Sequence, residues 1–195
     1  MTNLLDRSGI ASPDGAVDFL FNLYAARGES KYDETVTQNQ HALQTAALAE
    51  IDQAPVALVV AGLLHDVGHL IVDEHDGQED FLAHDAHHER IALRLLSAWF
   101  TPEVIQPILL HVAAKRYLVT VDPDYAQGLS DASTRSLAIQ GGPMTAEEVL
   151  AFEASPHAAG ACRLRRWDDG AKASSAVTPG WEHYRPLVHS QITMS

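Results

Sequence analysis

The segment Gly62–Leu70, GLLHDVGHL, places two histidines and an aspartate in a run whose other large members, Leu63, Leu64, Val67 and Leu70, are core residues by type. A charged carboxylate beside two imidazoles is costly to bury unless hydrogen bonds or a cation compensate. The run that begins at Pro55 is too long for a typical strand, and its leading proline suits a helical first turn. On a helix, His65 and His69 share a face and Asp66 lies one position round from His65. Either histidine alone reads better as a satisfied core residue or a solvent-facing one than as a ligand. Together with Asp66 they suit a divalent or trivalent metal, which takes imidazole nitrogen and carboxylate oxygen.

Such a metal needs ligands from other elements, and the rest of the chain is predominantly helical in pattern. TPEVIQPILLHVAAKRYL has Thr101 as N-cap, Pro102 in the first turn and Glu103 close behind, with Pro107 expected to kink or restart it. TAEEVLAFEAS carries Thr145 and Glu148 at capping-box spacing. TQNQHALQTAALAE and HHERIALRLLSAWF repeat apolar residues at helical spacing. Asp73–Asp80 reads as an exposed connection, QGGPM must turn at Gly141 and Gly142, and WDDGAKASSAVTPGWEHY reads as irregular. The predicted class is all-α: one helical bundle of six or more helices, spanning residues 1–195 as a single domain, with an irregular C-terminal segment.

Composition narrows the function. The chain has 195 residues, 46% of them hydrophobic, enough for one proper core. Its net charge of −13 argues against general nucleic-acid binding, which needs a basic surface. An anionic substrate would need a local basic pocket. The longest apolar stretch, Ala54–Leu64, is too short to span a bilayer, and Asp6 and Arg7 interrupt any leader pattern. The one cysteine, Cys162, forms no intrachain disulfide and fits a reducing, cytoplasmic compartment. The 11 histidines exceed what packing alone accounts for. His41, His88 and His111 each fall on a separate predicted helix, and Asp168 follows Trp167 in what reads as a loop. Several helices offering inward imidazoles and carboxylates is how metal sites in bundles are built.

His41, then His65-Asp66, then Asp168 resembles the H…HD…D signature of the HD-domain superfamily, in which these groups bind a metal. His88 in HHERIAL and His111 in LLHVAAKRYL resemble the two further histidines of its dinuclear members. With QNQHALQTA, LLHDVGHL, HVAAKRYL, YAQGLSDAS, QGGPM and RRWDDGAK, the chain resembles the PhnZ-type HD-domain mixed-valent diiron oxygenases over residues 31 to 185. That resemblance implies an HD-domain helical bundle and two irons, Fe(II)/Fe(III), held by His41, His65, Asp66, His88, His111 and Asp168, with Asp66 bridging. His84 and His87 lie near enough to leave the choice of His88 resting on the family pattern.

The implied reaction uses dioxygen to cleave the carbon–phosphorus bond of a 1-hydroxy-2-aminoethylphosphonate or its N-trimethyl analogue. The products are inorganic phosphate and glycine or glycine betaine. The same resemblance assigns His69 and Ser133 to the phosphonate and Gln140 to a supporting position. Lys115, four residues after His111, and Arg165, three before Asp168, supply cations for it. Where relatives carry Tyr-x-Gly-Glu, this chain has Tyr32-Asp33-Glu34, one residue shorter and without the glycine. Tyr32 is placed to close over the metal, with Asp33 or Glu34 facing the substrate ammonium; a solvated acidic turn is the alternative. The expected partner is a small organophosphonate supplied by an upstream phosphonate hydroxylase, with neither nucleic acid nor membrane involved. Two rivals are a metal-dependent HD phosphohydrolase and a non-catalytic HD ligand-binding module, both separable by iron content and oxygen consumption.

Overall fold

The computed structural model describes residues 9–32, 35–71 and 88–194. Asp33, Glu34, His84, His87 and the connection Asp73–Asp80 lie outside them. The described residues form ten helices, α1 (Pro13–Arg27), α2 (Gln38–Ile51), α3 (Val56–Leu64), α4 (His88–Leu96), α5 (Pro102–Val121), α6 (Pro123–Gln127), α7 (Asp131–Ile139), α8 (Ala146–Glu153), α9 (Ala158–Gly170) and α10 (Trp181–Gln191). Among them, extended pairing is limited to the isolated bridges Lys31–Thr37 and Phe100–Ile192, so the all-α expectation holds.

Local chemistry sets most helix ends. Ser12 accepts from the Gly15 N–H ahead of Pro13, starting a helix whose apolar face holds Val17, Leu20, Phe21 and Tyr24. Thr37 with Gln40 and Thr145 with Glu148 each form a reciprocal capping box. Gly141 and Gly142 turn the chain at φ 99° and 70°, in the left-handed region that glycine tolerates.

Three expectations are corrected. The helix from Pro55 does not run to Leu70: α3 stops at Leu64, and residues 64–71 continue through i to i+3 bonds such as His69 N–H to Asp66 O at 3.0 Å. At Gly68 an added Cβ would stand 2.0 Å from the His88 carbonyl oxygen, so the missing side chain permits this close approach. Tight turns let the chain press against the start of α4, which a continued helix with a side chain there would prevent. Pro107 does not break α5, which runs unbroken for 20 residues. Its ring packs beside Gly160 of α9, where an added Cβ would be 3.5 Å away. Asp168 is helical, not in a loop, because α9 continues to Gly170; only the stretch from Ala171 to Gly180 is irregular.

The apolar core unites α1, α3, α4, α5, α9 and α10 around Leu20, Leu63, Leu64, Leu95, Ile108 and Leu164, all essentially without solvent contact. Each such side chain contributes about 1.5–3 kcal/mol on burial. Trp181 stacks on Tyr24 at 4.4 Å and meets Phe21 edge-on at 5.1 Å, docking α10 onto α1. α5 is long and apolar enough, by length and composition, to cross a membrane, unlike the Ala54–Leu64 stretch. Here it packs against α3, α4 and α9 and carries the buried polar residues His111 and Lys115 inward.

Candidate metal centre and anion pocket

Five chain segments converge on one buried polar centre. His41 projects from α2, His65 caps α3, Asp66 lies in the turn beyond it, His88 opens α4, His111 sits midway along α5, and Asp168 comes from α9. All six are buried. The sequence-predicted ligand set is therefore gathered in one place.

Hydrogen bonding on the far side of three rings fixes what their near sides can do. Nδ1 of His41 lies 2.9 Å from the Ala171 carbonyl, Nδ1 of His65 2.9 Å from Gly62 O, and Nδ1 of His111 2.6 Å from Ile108 O. A carbonyl only accepts, so each Nδ1 carries the proton and each Nε2 of the neutral ring presents a lone pair. Yet the Nε2 atoms of His41 and His65 stand 3.2 Å apart, and those of His88 and His111 3.1 Å apart. Between His41 and His65, both anchored through Nδ1, opposed lone pairs at that distance repel unless a cation draws them together; between His88 and His111, an Nε2–H of His88 can instead donate to His111. Carbonyl-anchored imidazoles are also the usual outer support of a metal ligand.

The carboxylates complete two donor groups. Asp66 Oδ2 lies 3.6 Å from His41 Nε2 and 3.3 Å from His65 Nε2, while Asp168 Oδ1 lies 3.3 and 3.9 Å from the same atoms. Asp66 Oδ1 turns the other way, 3.6 Å from His88 Nε2 and 3.9 Å from His111 Nε2. One carboxylate thus faces both histidine pairs, one oxygen to each. His69 also approaches Asp66 Oδ1, at 3.9 Å, and stacks on His88 at 3.9 Å. The donor atoms of His41, His65 and Asp66, and of Asp66, His69 and His88, are close enough within each trio to share an ion.

Electrostatics favour ligand-ready protonation states. Burial drives the His88 ring well below the ordinary histidine range, aided by neighbouring His69, and takes His111 down to about 4, so both are neutral near pH 7. Burial would raise the Asp66 carboxyl; positive charge around it, carried by the imidazoles with His65 foremost when they are protonated, holds it below the usual carboxylate range. Burial likewise opposes ionisation of Asp168, and the Arg165 guanidinium overrides it. Donors, charges and support fit a metal centre.

A basic pocket adjoins it. Lys115, from α5, is only 2% exposed and donates to Ser136 Oγ at 2.7 Å. Burial and the nearby Arg165 bring its pKa down to about 7. Arg165 donates through Nη1 to Asp168 Oδ2 at 2.7 Å, and Ser133 lies beside it, with Arg165 Nη2 3.3 Å from its Oγ. Tyr32 stacks on His41 at 3.6 Å and donates to Asp168 Oδ1 at 3.2 Å, so it covers the first donor group. Gln140 caps α7, and its Oε1 is buried without a hydrogen-bond partner among the described residues.

Read from sequence, Lys172 is a solvated surface charge, and Asp169 and Tyr125 are given no role. Tyr125 donates to Asp169 Oδ2 at 2.6 Å, and Lys172 Nζ stands 3.2 Å from Ser133 Oγ. The available signal was the spacing of Arg165 and Asp169, four apart on one helix face.

The sequence profile of the HD domain matches residues 39–151. The chain is 48% identical over 184 residues to a protein of Gimesia maris named hydroxymethylphosphonate dioxygenase, covering 94% of this chain and 92% of that one. It is 36% identical over 177 residues to a Leisingera caerulea protein named [1-hydroxy-2-(trimethylamino)ethyl]phosphonate dioxygenase (glycine-betaine-forming), covering 90% of each.

Proposed function

The chain belongs to the PhnZ-like HD-domain oxygenases, and on that premise we propose that it uses dioxygen to cleave the carbon–phosphorus bond of a 1-hydroxyphosphonate. The observation that carries this reading is a single carboxylate, Asp66, facing two histidine pairs next to a buried cationic pocket. His41, His65, Asp66 and Asp168 would hold one iron, and Asp66, His88 and His111 the other. A mixed-valent iron pair would supply the redox chemistry that delivers electrons from the substrate carbon to dioxygen.

The residues of the chain account for binding and orientation. Lys115, Arg165, Ser133 and His69 offer donors to the phosphonate oxygens, directing the carbon that bears the hydroxyl toward the histidine-lined centre. Tyr32 covers that centre and limits access of water. Carbon–phosphorus cleavage with one dioxygen converts hydroxymethylphosphonate into formate, phosphate and a proton. The same step on the 2-amino or 2-trimethylammonio compound gives phosphate with glycine or glycine betaine.

The two relatives share the 1-hydroxyphosphonate head in their names and differ beyond it. We place the head as the recognised unit, with residues Tyr32, Asp33 and Glu34 deciding whether an amine is accepted. A class of enzyme that hydroxylates phosphonates at C1 would supply the substrate. A reducing cytoplasm suits the lone thiol, Cys162, which burial raises to about 11 and so keeps unreactive. The test is phosphate release from hydroxymethylphosphonate and from both amine compounds, with and without oxygen. Release of phosphate from none of them overturns the proposal.

A further inference from the structure

Asp169, adjacent to the candidate ligand Asp168, gathers donors from three segments besides its own turn of helix. Its Oδ2 accepts from the Tyr125 hydroxyl at 2.6 Å and from Arg165 Nε at 2.9 Å. Its Oδ1 accepts from Ser133 Oγ at 3.1 Å and from Arg165 Nη2, and lies 3.6 Å from Lys172 Nζ. Tyr125 belongs to α6, Ser133 to α7 and Lys172 to the stretch after α9. A carboxylate has about four lone-pair sites, and these contacts fill them.

The groups so gathered are cations and a hydroxyl of the anion pocket. Arg165 is fixed twice, by Asp169 on one edge and by Asp168 Oδ2 at 2.7 Å on the other. Lys172 points at Ser133 Oγ and Ser130 Oγ, 3.2 and 3.3 Å away. With Lys115 in its ammonium form, three cations meet two carboxylates, one of which, Asp168, also faces the imidazoles of His41 and His65. The surplus of positive charge suits an anion.

We infer that Asp169 is a positioning residue of the phosphonate pocket, aligning Arg165, Ser133 and Lys172 as one array beside Lys115. Lys172 thereby becomes a further anion-binding cation. The inference rests on the proposed phosphonate substrate, but its test does not require turnover. Charge and positioning make opposite demands. Removing a negative charge beside an anion strengthens binding if charge alone matters. An amide cannot accept from all four donors, and its own N–H groups would confront Arg165 or Tyr125, so loss of alignment weakens binding.

The experiment is calorimetric titration of inorganic phosphate into the metal-loaded full chain, as wild type, Asp169→Asn and Asp169→Glu, alongside metal content and steady-state kinetics. We expect phosphate affinity to fall at least about tenfold in Asp169→Asn, the loss of a charge-assisted contact. Asp169→Glu keeps the charge and displaces the carboxylate, so it too should lose affinity, by about threefold or more. Metal content should stay at the wild-type level and the kinetic loss should appear in KM more than in kcat. Unchanged or tighter phosphate binding in Asp169→Asn overturns the inference; if that variant does not fold, wild-type affinity in Asp169→Glu does so. A wild type that binds no phosphate also overturns it. Weakened phosphate binding in the variants, with no oxygen-dependent phosphate release by the wild type, would instead retain the positioning role and reject the proposed reaction.

Discussion

His88 and His111 come from different helices, yet their Nε2 atoms stand 3.1 Å apart, with the His111 Nδ1 proton committed to Ile108 O. That contact is either an N–H···N hydrogen bond from His88 to His111 or a pair of donors drawn to a shared cation, and Asp66 Oδ1, which faces both rings, favours the cation. We therefore predict that His88→Ala and His111→Ala each lose about half of the bound metal while remaining folded, because the His41/His65 group keeps its own donors. Metal analysis beside circular dichroism measures this. Full metal content in either variant would contradict a second site. Chelation of wild-type metal should also lower Tm, since the metal binds the native state alone.

The close approach of Gly68 to His88 makes a second prediction. A Cβ 2.0 Å from a backbone oxygen cannot be absorbed by a flexible side chain, so Gly68→Ala must move α4 or the preceding turn. Overpacking of this kind costs about 1–3 kcal/mol. Tm should fall, and metal loss should affect the His88 side preferentially. Wild-type Tm and metal content would show that the turn tolerates a side chain.

Lys115 gives a pH dependence with a definite sign. Its pKa, brought from the ordinary lysine value to about 7 by burial and by Arg165, means that the ammonium is present below pH 7 and lost above it. Affinity for inorganic phosphate should therefore decline as pH rises from 6 to 8, beyond any change from the ligand's own titration. Lys115→Arg, which stays protonated, should flatten that decline. Lys115→Ala should lower kcat/KM at least about tenfold by removing a charged contact worth roughly 1.5–3 kcal/mol. Equal pH profiles for wild type and Lys115→Arg would remove Lys115 from the binding site.

Tyr32 covers His41 and donates to Asp168. Tyr32→Phe keeps the stacking and deletes the hydrogen bond, so protein stability should change by no more than about 1 kcal/mol. If these three residues govern the amine end, Tyr32→Phe, Asp33→Asn and Glu34→Gln should shift the ratio of kcat/KM between hydroxymethylphosphonate and the trimethylammonio compound. An unaltered ratio in all three assigns selectivity elsewhere.

Much of this site was readable from sequence because its donors are chemically expensive to bury. His41, His65-Asp66, His88 and His111 stand out in apolar helical surroundings, and the structure gathers them. The local geometry was less readable. GLLHDVGHL has the composition of a continuous helix, and its close approach to α4 at Gly68, a tertiary contact, is not written in the local pattern. WDDG has the composition of a loop, yet Asp168 and Asp169 pair with Arg165 at i+3 and i+4, favouring one more helical turn. Asp169 and Lys172 were missed for a related reason: solvated surface charge is their default reading, and their significance depends on α6 and α7 folding over α9. α1 was legible and not read: the Ser12-Pro13 cap precedes apolar residues at helical spacing, among them Val17, Leu20, Phe21 and Tyr24.

The most direct test of the proposed chemistry is simultaneous measurement of dioxygen consumption and phosphate release from a 1-hydroxyphosphonate by the iron-loaded protein. The account predicts one phosphate for each dioxygen consumed and no phosphate under anaerobic conditions. Phosphate release at an undiminished rate without oxygen would contradict it.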